Sequence, residues 1–267
     1  MKTIVRILVL VSVFLTVSNA YSEGGLLFKP LTANVFEARV GLFYQFNDEK
    51  LRLDIGMSHD LTKFQLPDDG VFSIGADFFT YTRLRSEGKM KFPVETADYY
   101  FGVNASYKGR IANQKVSARF RVAHISSHLV DGYSSEGTFK KMPFIYSREF
   151  LDLTAAIDFE LFRPYAGLTY IFSTQPDDVN TLVPQIGFDW DLELAGKFSF
   201  VGGYDFKLGG YHAYTGINSG QLGILYRFTP NAGIMLNGYL YDGKSMHGMF
   251  FSEDDSYAGF GFQVYFY

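Results

Sequence analysis

The chain has 267 residues, no cysteine, a formal net charge of −4 and 18% aromatic residues. The lack of cysteine excludes a disulfide framework, a lipoprotein attachment site and thiolate chemistry, and the acidic balance argues against a nucleic-acid partner, which requires a basic face. With 28 Phe, 19 Tyr and 27 Gly beside a single Trp, the composition suits strands and aromatic girdles better than helices.

Lys2 and Arg6 precede an apolar run from Ile7 to Val17 and the small residues Ser18, Asn19 and Ala20, the pattern of a secretory signal peptide cut after Ala20. An uncleaved anchor is the alternative, although the run is short for a bilayer span. Residues 21–32 read as a short periplasmic segment and 33–267 as the folded unit. No later stretch is apolar for long enough to form a membrane helix.

Alternation takes over from there. Phe36, Ala38, Val40, Leu42, Tyr44 and Phe46 share one face of a first strand, with Glu37, Arg39, Gly41 and Gln45 on the other. The same period of two recurs in segments at roughly 50–58, 71–83, 96–108, 114–128, 145–161, 164–173, 181–191, 196–207, 219–228, 232–242 and 256–267, the first being 33–46. One face is apolar throughout, and the other is polar and often charged. A soluble sandwich alternates too, but its strands run to about 5–6 residues, whereas most of these reach the length a tilted membrane strand needs. The expected fold is therefore all-β: a transmembrane antiparallel up-and-down barrel of about twelve strands.

Short connections alternate with long ones over most of the chain, as periplasmic turns and outer loops should. The start is the exception, with a long connection after Met57 and a short one near Asn47. The last strand ends in aromatics, with Ala258, Phe260, Phe262, Val264 and Phe266 outward. It looks like the terminal signal read by barrel-assembly machinery, displaced by one residue in phase.

The most informative stretch runs from Arg119 to Phe150. Val116, Ala118, Phe120 and Val122 face lipid, and the same phase carries His124, Ser126 and His128 outward, while Ser117, Arg119 and Arg121 point inward. On the returning strand the phase of Leu151 and Leu153 brings Glu149 and Ser147 outward. A histidine, a serine and a carboxylate on one surface permit nucleophilic acyl transfer. His124 and Ser126 lie roughly 6–7 Å apart at Cα; whether Glu149 meets His124 depends on hairpin register. The plainer alternative is a polar rim contacting lipid headgroups, where even charges cost only about 0–1 kcal/mol.

The string from Ala97, Asp98 and Tyr99 through Arg119, Arg121, His124, Ser126, Ser127, His128, Leu129, Asp131 and Tyr133 to Tyr146, Ser147, Arg148 and Glu149 resembles the bacterial family called domain of unknown function 1207. That resemblance implies the type of protein and leaves its activity open. The H-x-S spacing is also similar to that of outer-membrane phospholipase A and lipid A 3-O-deacylase. By that similarity His124 is the base and Ser126 the nucleophile. Both families place an Asn or Glu about a dozen residues after the serine, where this chain has Thr138. Glu149 is taken as the third member, with Asp131 behind it and Ser127, His128, Ser147 and Arg148 as neighbouring polar groups.

No cofactor or metal is assigned; calcium, which the phospholipase family uses in dimerising, stays open. His59, His212 and His247 read as solvated loop residues, and Asp177, Asp178 and Glu253–Asp255 as acidic outer loops able to bind divalent ions. The expected function is an outer-membrane acyl hydrolase of phospholipase or lipid A deacylase type, acting on membrane lipid or lipopolysaccharide. The alternative is a non-catalytic barrel, a narrow channel or structural protein, whose inward charges Arg39, Arg52, Asp54, Asp77, Asp98, Arg119, Arg121, Asp158 and Asp205 could pair and plug it.

Overall fold

The computed structural model describes residues 25–46, 49–89 and 91–266, so the expected signal peptide and its cut after Ala20 lie outside the described residues. Among the described residues, twelve strands close into one antiparallel barrel. In chain order the wall is β1 (Val40–Gln45), β2 (Lys50–Gln65), β3 (Val71–Arg85), β4 (Val94–Ile111) and β5 (Gln114–Leu129), then β8 (Tyr146–Ile157), β9 (Phe162–Gln175), β10 (Leu182–Ala195), β11 (Phe198–Gly209), β12 (Thr215–Thr229), β13 (Ala232–Lys244) and β14 (Asp254–Phe266). The small hairpin β6 (Ser134–Ser135) and β7 (Thr138–Phe139) sits in the loop between β5 and β8. Each strand pairs with its sequence neighbour in the wall, and β1 closes the ring on β14.

The expected all-β barrel is the one observed, and alternation explains it. Outward residues form an apolar, solvent-accessible belt, with Leu236 67%, Ile186 59% and Phe260 57% exposed. Inward neighbours such as Asp98, Thr154 and Ser199 are fully buried. Lipid contact stabilises the first set, and closure leaves no ladder edge unpaired in hydrocarbon over most of the wall.

Two boundaries differ most from the sequence expectation. β2 continues to Gln65 instead of stopping near Ser58, because its ladder with β3 persists to the Gln65–Val71 pair after His59 has interrupted the apolar face. The connection after it is thus the short segment 66–70, which removes that half of the exception to the loop pattern, while the connection between β1 and β2 near Asn47 stays short. His59 is accordingly an exposed strand residue and not a loop residue.

The larger correction concerns the N-terminal part. The first strand was expected over 33–46 with 21–32 as a periplasmic segment, but β1 begins only at Val40, and residues 25–39 run inside the barrel. Phe28, Leu31, Ala33 and Val35 are buried there. The segment enters at the end that carries the short turns, where Arg163 donates to the carbonyls of Lys29 and Pro30 at 3.0 Å. It continues upward past Asp189, which accepts from the Thr32 backbone N–H at 2.9 Å, to Asn34, whose side chain accepts from Lys207 at 2.6 Å. Phe36, expected on the lipid face, packs against the inner core.

The interior chemistry demands this course. Arg119 and Arg121 point inward from β5 and both bind the carboxylate of Glu37, at 3.0 Å and 2.9 Å. Arg121 also reaches Asp77 at 3.2 Å, while Arg52 pairs with Asp54 at 2.5 Å and Lys207 with Asp205 at 2.7 Å. Buried charges need partners of opposite sign, and two adjacent arginines on one strand have theirs in the N-terminal segment.

The opposite end is closed by a loop, residues 245–253, folded back into the lumen. His247, expected to be solvated, is 2% exposed and its Nδ1 lies 2.8 Å from the Asp98 carboxylate. The Gly248 N–H donates to the same carboxylate at 2.7 Å, and the Met249 N–H to the Ser127 hydroxyl at 3.1 Å. A Cβ on Gly248 would stand 2.4 Å from the Tyr146 ring, so only glycine lets the loop press this closely on the wall.

Glu37→Gln leaves Arg119 and Arg121 short of a buried counter-charge and is expected to destabilise the folded barrel by about 3–5 kcal/mol. Guanidinium unfolding of the refolded protein measures it, and an unchanged midpoint would contradict the role given to Glu37.

Candidate functional site

The polar hairpin near the loop end of β5 and β8 adopts the phase read from its sequence. His124, Ser126 and His128 alternate with buried Ala123, Ile125 and Ser127, so they stand on the outer surface. The β5–β8 register pairs His124 with Glu149 and Ser126 with Ser147. His124 Nδ1 and Glu149 Oε1 are 2.9 Å apart, and the Ser147 hydroxyl donates to the same Glu149 oxygen at 2.8 Å.

Glu149 holds one ring nitrogen, so a neutral imidazole carries its proton on Nδ1 and leaves Nε2 free to accept one. Their side chains are 38% and 32% exposed, open to the surroundings of the barrel and not to its lumen. On the flanking strand β4, Tyr99 lies opposite Ser126 and Phe101 opposite His124, giving the polar group an apolar, aromatic border.

Sequence reasoning missed Ser173. It lies opposite Glu149 on β9 and its hydroxyl interacts with the carboxylate. The ladder is irregular at that point: the next pair is Phe150–Ile171, leaving Phe172 without a partner as a bulge. Bulges re-aim side chains beside functional sites, and an outward Ser near the end of β9 was the only sequence signal.

Not every expected member joins the group. Asp131 lies beyond the end of β5 in a single 3-10 turn, Asp131–Tyr133, where its backbone carbonyl accepts from the Ser134 hydroxyl. No hydrogen bond or ion pair links its side chain to His124 among the described residues. Ser127 and Arg148 face the lumen: Ser127 binds the 245–253 loop, and Arg148 sits between the inward Tyr146 and Phe150. His128 is outward but lies against the Tyr99 ring, with centroids 6.0 Å apart. Ser126 has no hydrogen bond to His124 among the described residues; such contacts commonly tighten only in a substrate complex.

The model of the family described as "Protein of unknown function (DUF1207)" matches residues 94–267, which include the whole of this site. No curated protein sequence matches the chain. Among solved structures, an active-site variant of outer membrane phospholipase A from Escherichia coli is similar with a TM-score of 0.57 at 14% identity, covering 94% of this chain and 96% of that one. The calcium-bound dimer of outer membrane phospholipase from Salmonella typhi gives 0.56 at 12% identity, covering 90% and 94%. At these identities the likeness is one of fold.

The surface position of the His124–Glu149 pair separates it from the buried anchors. A single hydrogen bond on the outer surface contributes about 1 kcal/mol, so Glu149→Ala is expected to keep the unfolding midpoint close to wild type. Asp98→Ala, which strips His247 and Gly248 of a buried acceptor, is expected to cost about 2–5 kcal/mol. Chemical denaturation of the two variants side by side checks the contrast.

Proposed function

The chain belongs to the DUF1207 family, and from its own surface chemistry we propose that it is an outer-membrane serine acyl hydrolase acting on ester-linked lipid of the outer leaflet. Ser126 is the nucleophile, His124 the general base and Glu149 the group that orients it. The observation that carries the reading is the 2.9 Å contact between His124 Nδ1 and Glu149 on the lipid-facing surface, with Ser126 on the same face.

In this mechanism Ser126 Oγ attacks the ester carbonyl carbon while His124 Nε2 takes its proton. The tetrahedral intermediate collapses, His124 returns the proton to the leaving alcohol, and the acyl group remains on Ser126. Water, deprotonated by His124, then attacks the acyl-enzyme and releases a fatty acid, restoring the serine. Glu149 stays ionised and keeps the imidazole in the tautomer that accepts at Nε2. The substrate is membrane lipid or the acyl chains of lipopolysaccharide, since the site opens sideways onto the apolar belt. Insertion by assembly machinery through the aromatic terminal strand is part of the same reading.

A specific observation favours a non-catalytic barrel instead: the absence of a Ser126–His124 hydrogen bond among the described residues. The channel version of that alternative is weakened by the paired charges and the N-terminal segment that occupy the lumen.

Fatty-acid release from mixed phospholipid and lipopolysaccharide micelles, with and without calcium, tests the proposal. His124→Ala is expected to lower release by about 10²–10⁴-fold, Ser126→Ala, which removes the nucleophile, by at least as much, and Glu149→Gln by less, with folding intact. Release unchanged in Ser126→Ala, or none from wild type on any lipid, would overturn it.

A further inference from the structure

The N-terminal segment rising from one end and the 245–253 loop descending from the other do not meet. Between them lies a cavity of about 130 Å³, with Phe36 at its floor and Met246 and Phe251 at its roof. Its walls are largely apolar: Ile125, Phe150, Ile171 and Val183 line it from β5, β8, β9 and β10. Val179, Asn180 and Gly210, from loops at the loop end of the barrel, border it as well.

Four cationic side chains also reach this space, and three are already neutralised. Arg121 is held by Glu37 and Asp77, Lys207 by Asp205 at 2.7 Å, and Lys244 by Asp254 at 2.8 Å. The one lining carboxylate, Asp152, accepts from the Thr169 hydroxyl at 2.8 Å and stands opposite Arg121 in the β5–β8 register.

Arg148 is different. Its guanidinium stacks near the rings of Tyr146, at 4.9 Å, and Phe251, at 5.9 Å. No carboxylate lies within ion-pair distance among the described residues, and its buried Nε has no hydrogen-bond partner. The aromatic contacts involve the plane of the guanidinium, and none of its N–H donors has a hydrogen-bond partner among the described residues; a planar fork of N–H groups receives a carboxylate through two parallel bonds. An unmatched charge in an apolar chamber is costly unless an anion completes it.

We propose that this chamber binds a small organic carboxylate, its acid group on Arg148 and its apolar body against Phe150 and Ile171. Size limits the ligand: an apolar cavity of about 150 Å³ takes up benzene, so the fit is to one aromatic ring or a short alkyl chain. This site is inside the barrel and independent of Ser126, which is on its outer surface.

The test uses the full chain folded in an uncharged detergent, with para-fluorobenzoate as the probe observed by fluorine NMR. Saturable binding is expected, with displacement by hexanoate, while the neutral para-fluorobenzamide binds at least tenfold more weakly. Arg148→Gln is expected to weaken the acid at least tenfold, and Ile171→Trp, which fills the chamber but keeps the arginine, to abolish binding. Ser126→Ala is expected to bind as wild type does. Acid and amide binding equally well to wild type would overturn the proposal without recourse to any variant. So would the absence of saturable binding, or binding unchanged in both Arg148→Gln and Ile171→Trp.

Discussion

The structure turns on the carboxylate of Glu37 between two arginines. A closed wall in lipid must satisfy its backbone within the wall, and alternation then commits every second residue to the interior. On β5 that places Arg119 and Arg121 side by side in a space shielded from water. Asp77 answers part of the charge, and Glu37 answers the rest from a segment that therefore leaves the wall and crosses the lumen. The short β1, the buried course of residues 25–39 and the occupied interior follow from one requirement of charge neutrality.

The same economy of partners divides the molecule's polar groups into two populations. Those inside are matched in pairs and hold elements together: Arg52 with Asp54, Lys207 with Asp205, His247 with Asp98. Those on the outer surface near the loop end are held to one another but open outward, and they contribute little to stability. Arg148 belongs to neither population, being interior yet without an acidic partner, and this sets its chamber apart from the rest of the lumen.

Period-two patterning made the wall legible in the sequence, because a residue's phase alone decides whether it meets lipid or lumen. Phase also gave the outward placement of His124, Ser126 and Glu149. It could not bring Glu149 opposite His124, since that register depends on how the 130–145 loop folds, nor reveal the β9 bulge beside Ser173. Phase misled at Phe36, where alternation continued into a segment whose partners are the interior arginines and not lipid. His247 was misread for a related reason: a loop that turns back into the lumen has no periodicity, and its anchor, Asp98, is far away in sequence.

The brevity of β1 has a mechanical side. It pairs with β2 only from Gly41 to Tyr44 and with β14 only from Val40 to Gln45, whereas β2 and β3 are joined along nearly their whole length. From Ile55 to Gln65, β2 has a described neighbour on one flank only. Hydrogen bonds side by side along a seam share a load applied across it, so the seam with the fewest yields first. Under lateral tension the cylinder would part along β1, starting from the turn end.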